Sequence, residues 1–227
     1  MKRGYKQTEI GEIPEEWEVS TLESCIGSGF ISDGDWIESK DQDVNGTIRL
    51  IQLADIGDGN FIDKSGRFIN DDTFVRLRCT EVLPDDILIA RMPDPIGRAC
   101  IFPKGQPKSI TAVDVCIVRV KGNSNKFICY TINSPTYRKN INQNVSGTTR
   151  QRVPTGHLKT IQFHLPPLPE QKKIAEVLSS VDESIRATQA VIEQAKVLKQ
   201  GMLNQLLTKG IGHKKFKQTE IGKIPEE

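Results

Sequence analysis

No apolar run in this 227-residue chain approaches the roughly 18–20 residues that a membrane span needs. The opening residues, Met1-Lys2-Arg3-Gly4-Tyr5, lead into polar sequence and do not form a signal peptide. The expectation is a cytoplasmic protein without membrane association. Five cysteines (Cys25, Cys79, Cys100, Cys116, Cys129) form an odd set with no CxxC pair. Reduced, buried thiols are therefore expected rather than disulfides or a metal site. There is no P-loop, no Rossmann glycine fingerprint, no GxSxG, no glycine-rich cofactor loop and no Asn-Pro-Pro-aromatic motif of the amino-methyltransferase kind. The three histidines, His157, His164 and His213, lack metal-ligand spacing. Neither a catalytic residue nor a resident metal or cofactor is expected.

What is present is ordinary in bulk: 37% hydrophobic and 26% charged residues, which exclude disordered and collagen-like classes. The length suits one large domain, or one domain with an appendage. The net charge of +2 conceals a segregation along the chain. Residues 1–114 carry 13 basic and 21 acidic side chains, whereas residues 115–169 carry eight basic ones and no carboxylate. Two readings follow. The basic segment neutralises phosphates of a nucleic acid, or it docks on the acidic first part of its own domain.

Tyr5-Lys-Gln-Thr-Glu-Ile-Gly-Glu-Ile-Pro-Glu-Glu16 returns as Phe216-Lys-Gln-Thr-Glu-Ile-Gly-Lys-Ile-Pro-Glu-Glu227, with ten of twelve positions identical. The implied unit of about 211 residues is far beyond the 20–50 of solenoid repeats. The simplest expectation is a large unit followed by the first residues of another.

Strands are expected at Thr47–Leu53, Asp86–Met92, Ala99–Phe102 and Ala112–Val120, where β-branched and apolar residues gather. The near-continuous apolar filling of the last marks it as central. Glu15–Ser20 reads as a short extended or turn segment burying Trp17, Gly27–Asp35 as turn-rich, and Asn140–Arg152 as a polar, basic loop. Ser124–Asn133 reads as a helix, and Ser134-Pro135 offers the cap and first residue of another. After Pro166-Pro167-Leu168-Pro169, apolar residues recur at Ile174, Leu178, Val181, Ile185, Val191 or Ile192, Ala195, Leu198, Met202 and Leu206. Spacings of mostly 4 and 3 form a coiled-coil seam, shifted by one 3–3 step near 185–191. Lys209-Gly210 supplies a stop. Such a helix, about 58 Å over 170–208, needs a partner helix, most economically from a second chain; the alternative is a helix packed along its own domain.

Two acidic patterns imitate known sites. Asp41-Gln-Asp43-Val-Asn45-Gly46 resembles the first half of an EF-hand loop, but Gln52 stands where calcium wants a bidentate carboxylate. Asp33, Glu38 and Lys40 mimic a metal-dependent nuclease triad, but in a glycine- and aspartate-rich loop rather than on rigid strands. Loop readings are preferred for both. Other segments suit DNA. Ser146-Gly-Thr-Thr-Arg-Gln-Arg152 combines small hydroxyls with Arg and Gln, which read guanine and adenine edges bidentately. Arg91-Met-Pro-Asp-Pro-Ile-Gly-Arg98 reads as a proline-stiffened tip that can enter a groove. The candidate DNA contacts are Arg91, Arg98, Arg138, Lys139, Thr148, Arg150, Gln151 and Arg152.

These residues carry a family resemblance. Ser146-Gly-Thr-Thr-Arg-Gln-Arg-Val-Pro154, Leu158-x-x-Ile161 and Leu165-Pro-Pro-Leu-Pro-Glu-Gln-Lys-Lys-Ile-Ala175 resemble the junction of target recognition domain and spacer helix in specificity subunits of type I restriction-modification systems. Lys6-Gln-Thr-Glu-Ile-Gly-x-Ile-Pro-Glu-x-Trp17 is similar to the segment opening each recognition domain, and Lys199-Gln-Gly-Met-Leu-Asn-Gln-Leu-Leu207 to the end of the spacer helix. The resemblance implies a mixed α/β fold: a DNA target recognition domain (1–168), a long spacer and dimerisation helix (169–208) and a repeated tail (209–227). It implies double-stranded DNA, modification (methyltransferase) subunits and restriction subunits as partners. S-adenosylmethionine, ATP and Mg would be bound by those partners and no cofactor by this chain.

A full subunit of the family has two recognition domains joined by two antiparallel helices, and this sequence holds one of each. It therefore resembles a half-length form. The expectation is a homodimer through Ile174, Leu178, Val181, Ile185, Ile192, Leu198, Met202 and Leu206, reading an interrupted palindrome. The alternatives are a coiled-coil DNA-binding regulator without a methyltransferase, and an inactive truncated subunit.

Overall fold

The computed structural model describes residues 4–93, 95–143, 151–220 and 222–226. The chain forms two compact units, Met1–Ala175 and Glu176–Glu227. The first opens with a hairpin of β1 (Tyr5–Thr8) and β2 (Gly11–Pro14), in which Tyr5 faces Pro14 and Thr8 faces Gly11. It continues through β3 (Glu18–Thr21), the one-turn helix α1 (Leu22–Cys25), β4 (Phe30–Ser32), β5 (Ile48–Ile51), β6 (Phe68–Ile69) and α2 (Asp71–Arg76). Then follow β7 (Ile87–Ala90), β8 (Ala99–Ile101), β9 (Ser109–Thr111) and β10 (Val115–Arg119). Helices α3 (Asn125–Asn133), α4 (Pro135–Asn142) and α5 (Thr155–Thr160) precede β11 (Gln162–Leu165), which leads into α6 (Leu168–Lys209). β12 (Phe216–Thr219) and β13 (Gly222–Pro225) close the chain as a second hairpin.

The main sheet is antiparallel, in the order β4-β10-β7-β8. The expected centrality of 112–120 is found: β10 lies between β4 and β7. The alternation of strand side chains decides what each face covers. Ile87, Ile89, Cys116 and Val118 face one buried cluster with α3, α4 and α5, while Leu88, Ala90, Val115 and Ile117 face another with Ile51, Ile56 and Phe102. Both faces are covered, so these strands read as unbroken apolar runs; each large side chain buried there is worth about 1.5–3 kcal/mol. A second sheet, β6-β5-β9, holds β5 parallel to β9 and antiparallel to β6. The segment 27–35, expected only to turn, contributes β4. That strand is three residues long and half-buried.

Helix starts follow their caps. The Ser124 hydroxyl accepts from the Phe127 amide at 3.3 Å and opens α3. The Ser134 hydroxyl accepts from the Tyr137 amide, with Pro135 in the first turn of α4. All five cysteines are free and buried. Burial pushes the Cys79 thiol up to about 11, so it stays protonated at neutral pH.

The two segments that carry the resemblance meet in space. β3 pairs antiparallel with β11, Glu18 facing Leu165. Trp17 Nε1 donates to Glu170 Oε2 at 2.9 Å. The buried amide of Gln171 accepts from the Ser124 amide at 3.0 Å and donates to the Pro166 carbonyl and the Asn123 side chain, both at 2.8 Å. The Leu-Pro-Pro-Leu-Pro-Glu-Gln run is therefore a joint that fixes the start of α6. The first compact unit reaches Ala175. Buried Ala175 and half-buried Ile174 pack with its cluster. Beyond this joint α6 runs to Lys209, and Gly210 follows at φ +66° as its stop. Among the described residues, no helix is long and apolar enough to cross a membrane.

Candidate nucleic-acid interface

Part of the segregated charge of the sequence is cancelled in the fold, where three described arginines of residues 115–169 pair with carboxylates. Arg119, from the basic segment, donates to both carboxylate oxygens of Asp86, at 2.8 and 2.7 Å. Arg138 holds Asp58 through both terminal nitrogens and Asn133 Oδ1 at 2.8 Å. Arg152 holds Asp114, with 3.2 Å between Nε and Oδ1. Each of these carboxylates comes from the acidic residues 1–114. Lys121, Lys126 and Lys139 stay exposed.

Two of the expected DNA contacts turn inward. Arg91 is 3% exposed. Its guanidinium donates to Thr155 Oγ1 at 2.8 Å and to the Val113 carbonyl at 2.7 Å, and it sits 3.1 Å from Asp33. Arg98 is 8% exposed and donates to four backbone carbonyls, those of Ile56, Leu53, Met92 and Pro95. The guanidinium thereby ties together the carbonyls of two turns, supplying donors for all four. Both guanidiniums hold the surrounding loops together. Thr148 and Arg150 lie outside the described residues. Gln151 is exposed and Arg152 half-exposed. Arg138 and Lys139 lie on α4, with Arg138 committed to Asp58.

The geometry brings Arg91 and Arg152 together on one acceptor. Arg152 Nη2 donates to the same Val113 carbonyl at 3.0 Å. Around this point Trp36, Met92, Val113, Asp114 and Arg152 line a depression of about 190 Å³. Trp36 is 70% exposed. Sequence reasoning missed it, although an indole directly after Asp33-Gly34-Asp35 in a polar stretch is itself a signal. Asp35, beside it, accepts from the Thr80 amide at 3.0 Å. Burial pushes the Asp35 carboxyl up to about 6, against the lowering effect of that amide.

The carboxylates of the two imitated sites are engaged by other side chains and by backbone amides. Asp33 is held by Arg91 and Thr155, whereas Glu38 pairs with Lys40 at 2.7 Å and accepts from Trp36 Nε1 at 3.4 Å. The Lys40 ammonium first, then the indole, holds the Glu38 carboxyl below its usual range. Asp41 pairs with Arg76 at 2.7 Å, and Asp43 accepts from Asn70 and the Asn45 amide. Among the described residues, no group of three or more His, Cys, Asp or Glu side chains could hold a metal ion.

Residues 14–197 match the family model described as type I restriction modification DNA specificity domain. The chain is 30% identical over 236 residues to the MjaX type I restriction enzyme specificity subunit of Methanocaldococcus jannaschii, covering 100% of this chain and 54% of that protein. The fold is similar to the HsdS subunit of Thermoanaerobacter tengcongensis, with a TM-score of 0.59 at 17% identity over 89% of this chain and 47% of that one. A chain from a structural study of complex assembly and conformational transition in the type I R-M system gives a TM-score of 0.62 at 18% identity, covering 85% and 46%. The chain thus spans about half the length of the proteins it matches.

Proposed function

The chain belongs to the family of type I restriction-modification DNA specificity domains, and from that premise we propose that it reads one half of a bipartite DNA site for a methyltransferase and restriction complex. The first unit is the reader. Helix α6 is the spacer that pairs with the same helix of a second copy, antiparallel, so that two readers face the two halves of an interrupted palindrome. The chain performs no chemistry of its own. Modification and restriction subunits, with their S-adenosylmethionine, ATP and Mg, supply it, in the cytoplasm.

The observation that carries the pairing is the uncovered stripe of α6. Leu178, Val181, Ile185, Ile192, Leu198, Met202 and Leu206 stand between 39% and 65% exposed on a 42-residue helix. A single helix about 63 Å long cannot shield such a seam by itself, and a helical partner with the same spacing can.

The test joins two measurements on the full chain expressed with a modification subunit. Sedimentation at micromolar concentration is expected to give two copies of this chain per complex. Methylation-sensitive sequencing of the host is expected to reveal a methylated, interrupted palindrome. A monomer with or without the modification subunit overturns the pairing. A dimer that binds DNA but retains no modification subunit favours the regulator, and a chain doing neither is an inactive fragment.

A further inference from the structure

Trp36 leaves most of a large apolar side chain in water, yet its backbone is tightly held. On one side the Asp35 amide donates to the Thr111 carbonyl at 2.8 Å, and Asp35 bridges Ala112 in parallel. On the other, Glu38 and Asp41 lock each other through reciprocal bonds, the Glu38 amide to Asp41 Oδ2 at 3.2 Å and the Asp41 amide to the Glu38 carbonyl at 3.0 Å. An exposed aromatic on a fixed backbone is preorganised for contact. It shares its depression with the Met92 thioether, Val113, Asp114 and the guanidinium of Arg152. Arg152 in turn is aimed by Asp114 and the Val113 carbonyl.

The charges decide what this surface can receive. Among the described residues, the lining cation Arg152 faces Asp114, while Arg91, on the same Val113 carbonyl, faces Asp33, and Lys40 faces the Glu38 that bonds Trp36. A phosphate grip carries an excess of positive charge, and the described residues of this cluster carry none. Base edges in the major groove are neutral and offer acceptors, donors and thymine methyls, which a fork of N–H groups beside an apolar surface matches.

We propose that the Trp36–Met92–Arg152 depression is a base-reading site for duplex DNA, with Arg152 addressing a guanine edge and Trp36 with Met92 packing on the adjacent base pair. This rests on the DNA-reading function proposed above. Asp114 is a positioning residue: it fixes the Arg152 fork and repels the phosphate backbone, which keeps the depression turned to the groove.

The experiment is selection from a pool of random-sequence 40-base-pair duplexes by the full chain in complex with its modification subunit. Wild type, Trp36→Ala, Trp36→Phe and Arg152→Lys are compared. Wild type is expected to enrich one motif. Trp36→Ala is expected to lose preference at one or two adjacent base pairs per half-site, weakening binding to the wild-type motif about 5- to 150-fold. The salt dependence of binding should not change. Trp36→Phe retains part of the preference. Arg152→Lys loses it at the neighbouring pair, because an ammonium cannot make the bidentate contact. Fluorescence of Trp17, the one tryptophan left in the Trp36 variants, reports that the fold persists. If the variants enrich the same motif as strongly as wild type, the proposal is overturned while DNA reading stands. A uniform loss with a shallower salt dependence makes the site a phosphate contact and also overturns it, as does loss of the modification subunit at unchanged DNA preference. If wild type itself enriches nothing, both readings fall together.

Discussion

The hairpins β1–β2 and β12–β13 share ten of twelve residues and one register: Thr8 faces Gly11 as Thr219 faces Gly222. Even the side-chain bonds repeat. Thr8 Oγ1 donates to the Gly11 carbonyl at 2.6 Å and Thr219 Oγ1 to the Gly222 carbonyl at 2.7 Å. The Glu15 amide closes on the Gly4 carbonyl as the Glu226 amide closes on that of Lys215. Their surroundings differ. Ile13 is 1% exposed, whereas its counterpart Ile224 is only half-buried. The first hairpin runs into Trp17, which bonds to Glu170, and into β3, which pairs with β11. Local sequence therefore suffices to shape the hairpin, and the residues that follow the first copy seat it on a core.

The largest expected effect tests that seating. Ile13→Ala should cost about 2–5 kcal/mol through lost burial and a cavity, seen as a lower urea midpoint with an unchanged slope. Ile224→Ala should cost about 1 kcal/mol or less. Equal shifts would break the comparison, since they would mean that the second hairpin is seated as deeply as the first. Next in size is Trp17→Phe. It removes a donor to the Glu170 carboxylate and should cost about 1.5–3 kcal/mol, again in the urea midpoint. A Glu170→Gln chain, which keeps a neutral acceptor, should lose less. If Trp17→Phe is silent, the seat is made by strand pairing alone.

The same division between local and distant causes explains what the sequence made legible. Runs of β-branched residues announced β5, β7, β8 and β10, and Ser134-Pro135 announced α4, because these signals lie within a few residues of what they control. β4 and α5 were missed. The strand is short and held by its partner β10, and α5 has no side-chain cap at Pro154. The pairing of the basic segment is hidden from sequence for a related reason. Arg119, Arg138 and Arg152 find carboxylates 33, 80 and 38 positions away, distances at which sequence gives no pairing rule. Arg91 and Arg98 flank Pro93 and Pro95 in sequence, yet both guanidiniums turn to backbone carbonyls around them. Trp36 was overlooked because an exposed aromatic has no periodicity to betray it. The helix is the opposite case: its 3–4 spacing is legible over nine turns, and its first member, Ile174, packs half-buried against the core near the joint at Gln171.

Glycine substitution gives the smallest effect and the sharpest form of the comparison. Gly11 and Gly222 adopt φ +124° and +116°, a region that a residue with a Cβ enters only under strain. Neither position has a neighbour within 4 Å of an added Cβ, so Gly→Ala perturbs backbone conformation and nothing else. Each substitution should weaken its own hairpin by about 1–2 kcal/mol. Amide exchange at Thr8 and at Thr219 should rise by similar factors, because the local geometry is shared. The global unfolding midpoint should fall only for Gly11→Ala, whose hairpin is coupled to the core through Ile13 and Trp17. If exchange rises in the first hairpin alone, the second is held open already and its likeness to the first does not persist in solution. If both substitutions lower the midpoint, the second hairpin has a seat of its own, and Ile224 is the residue to test for it.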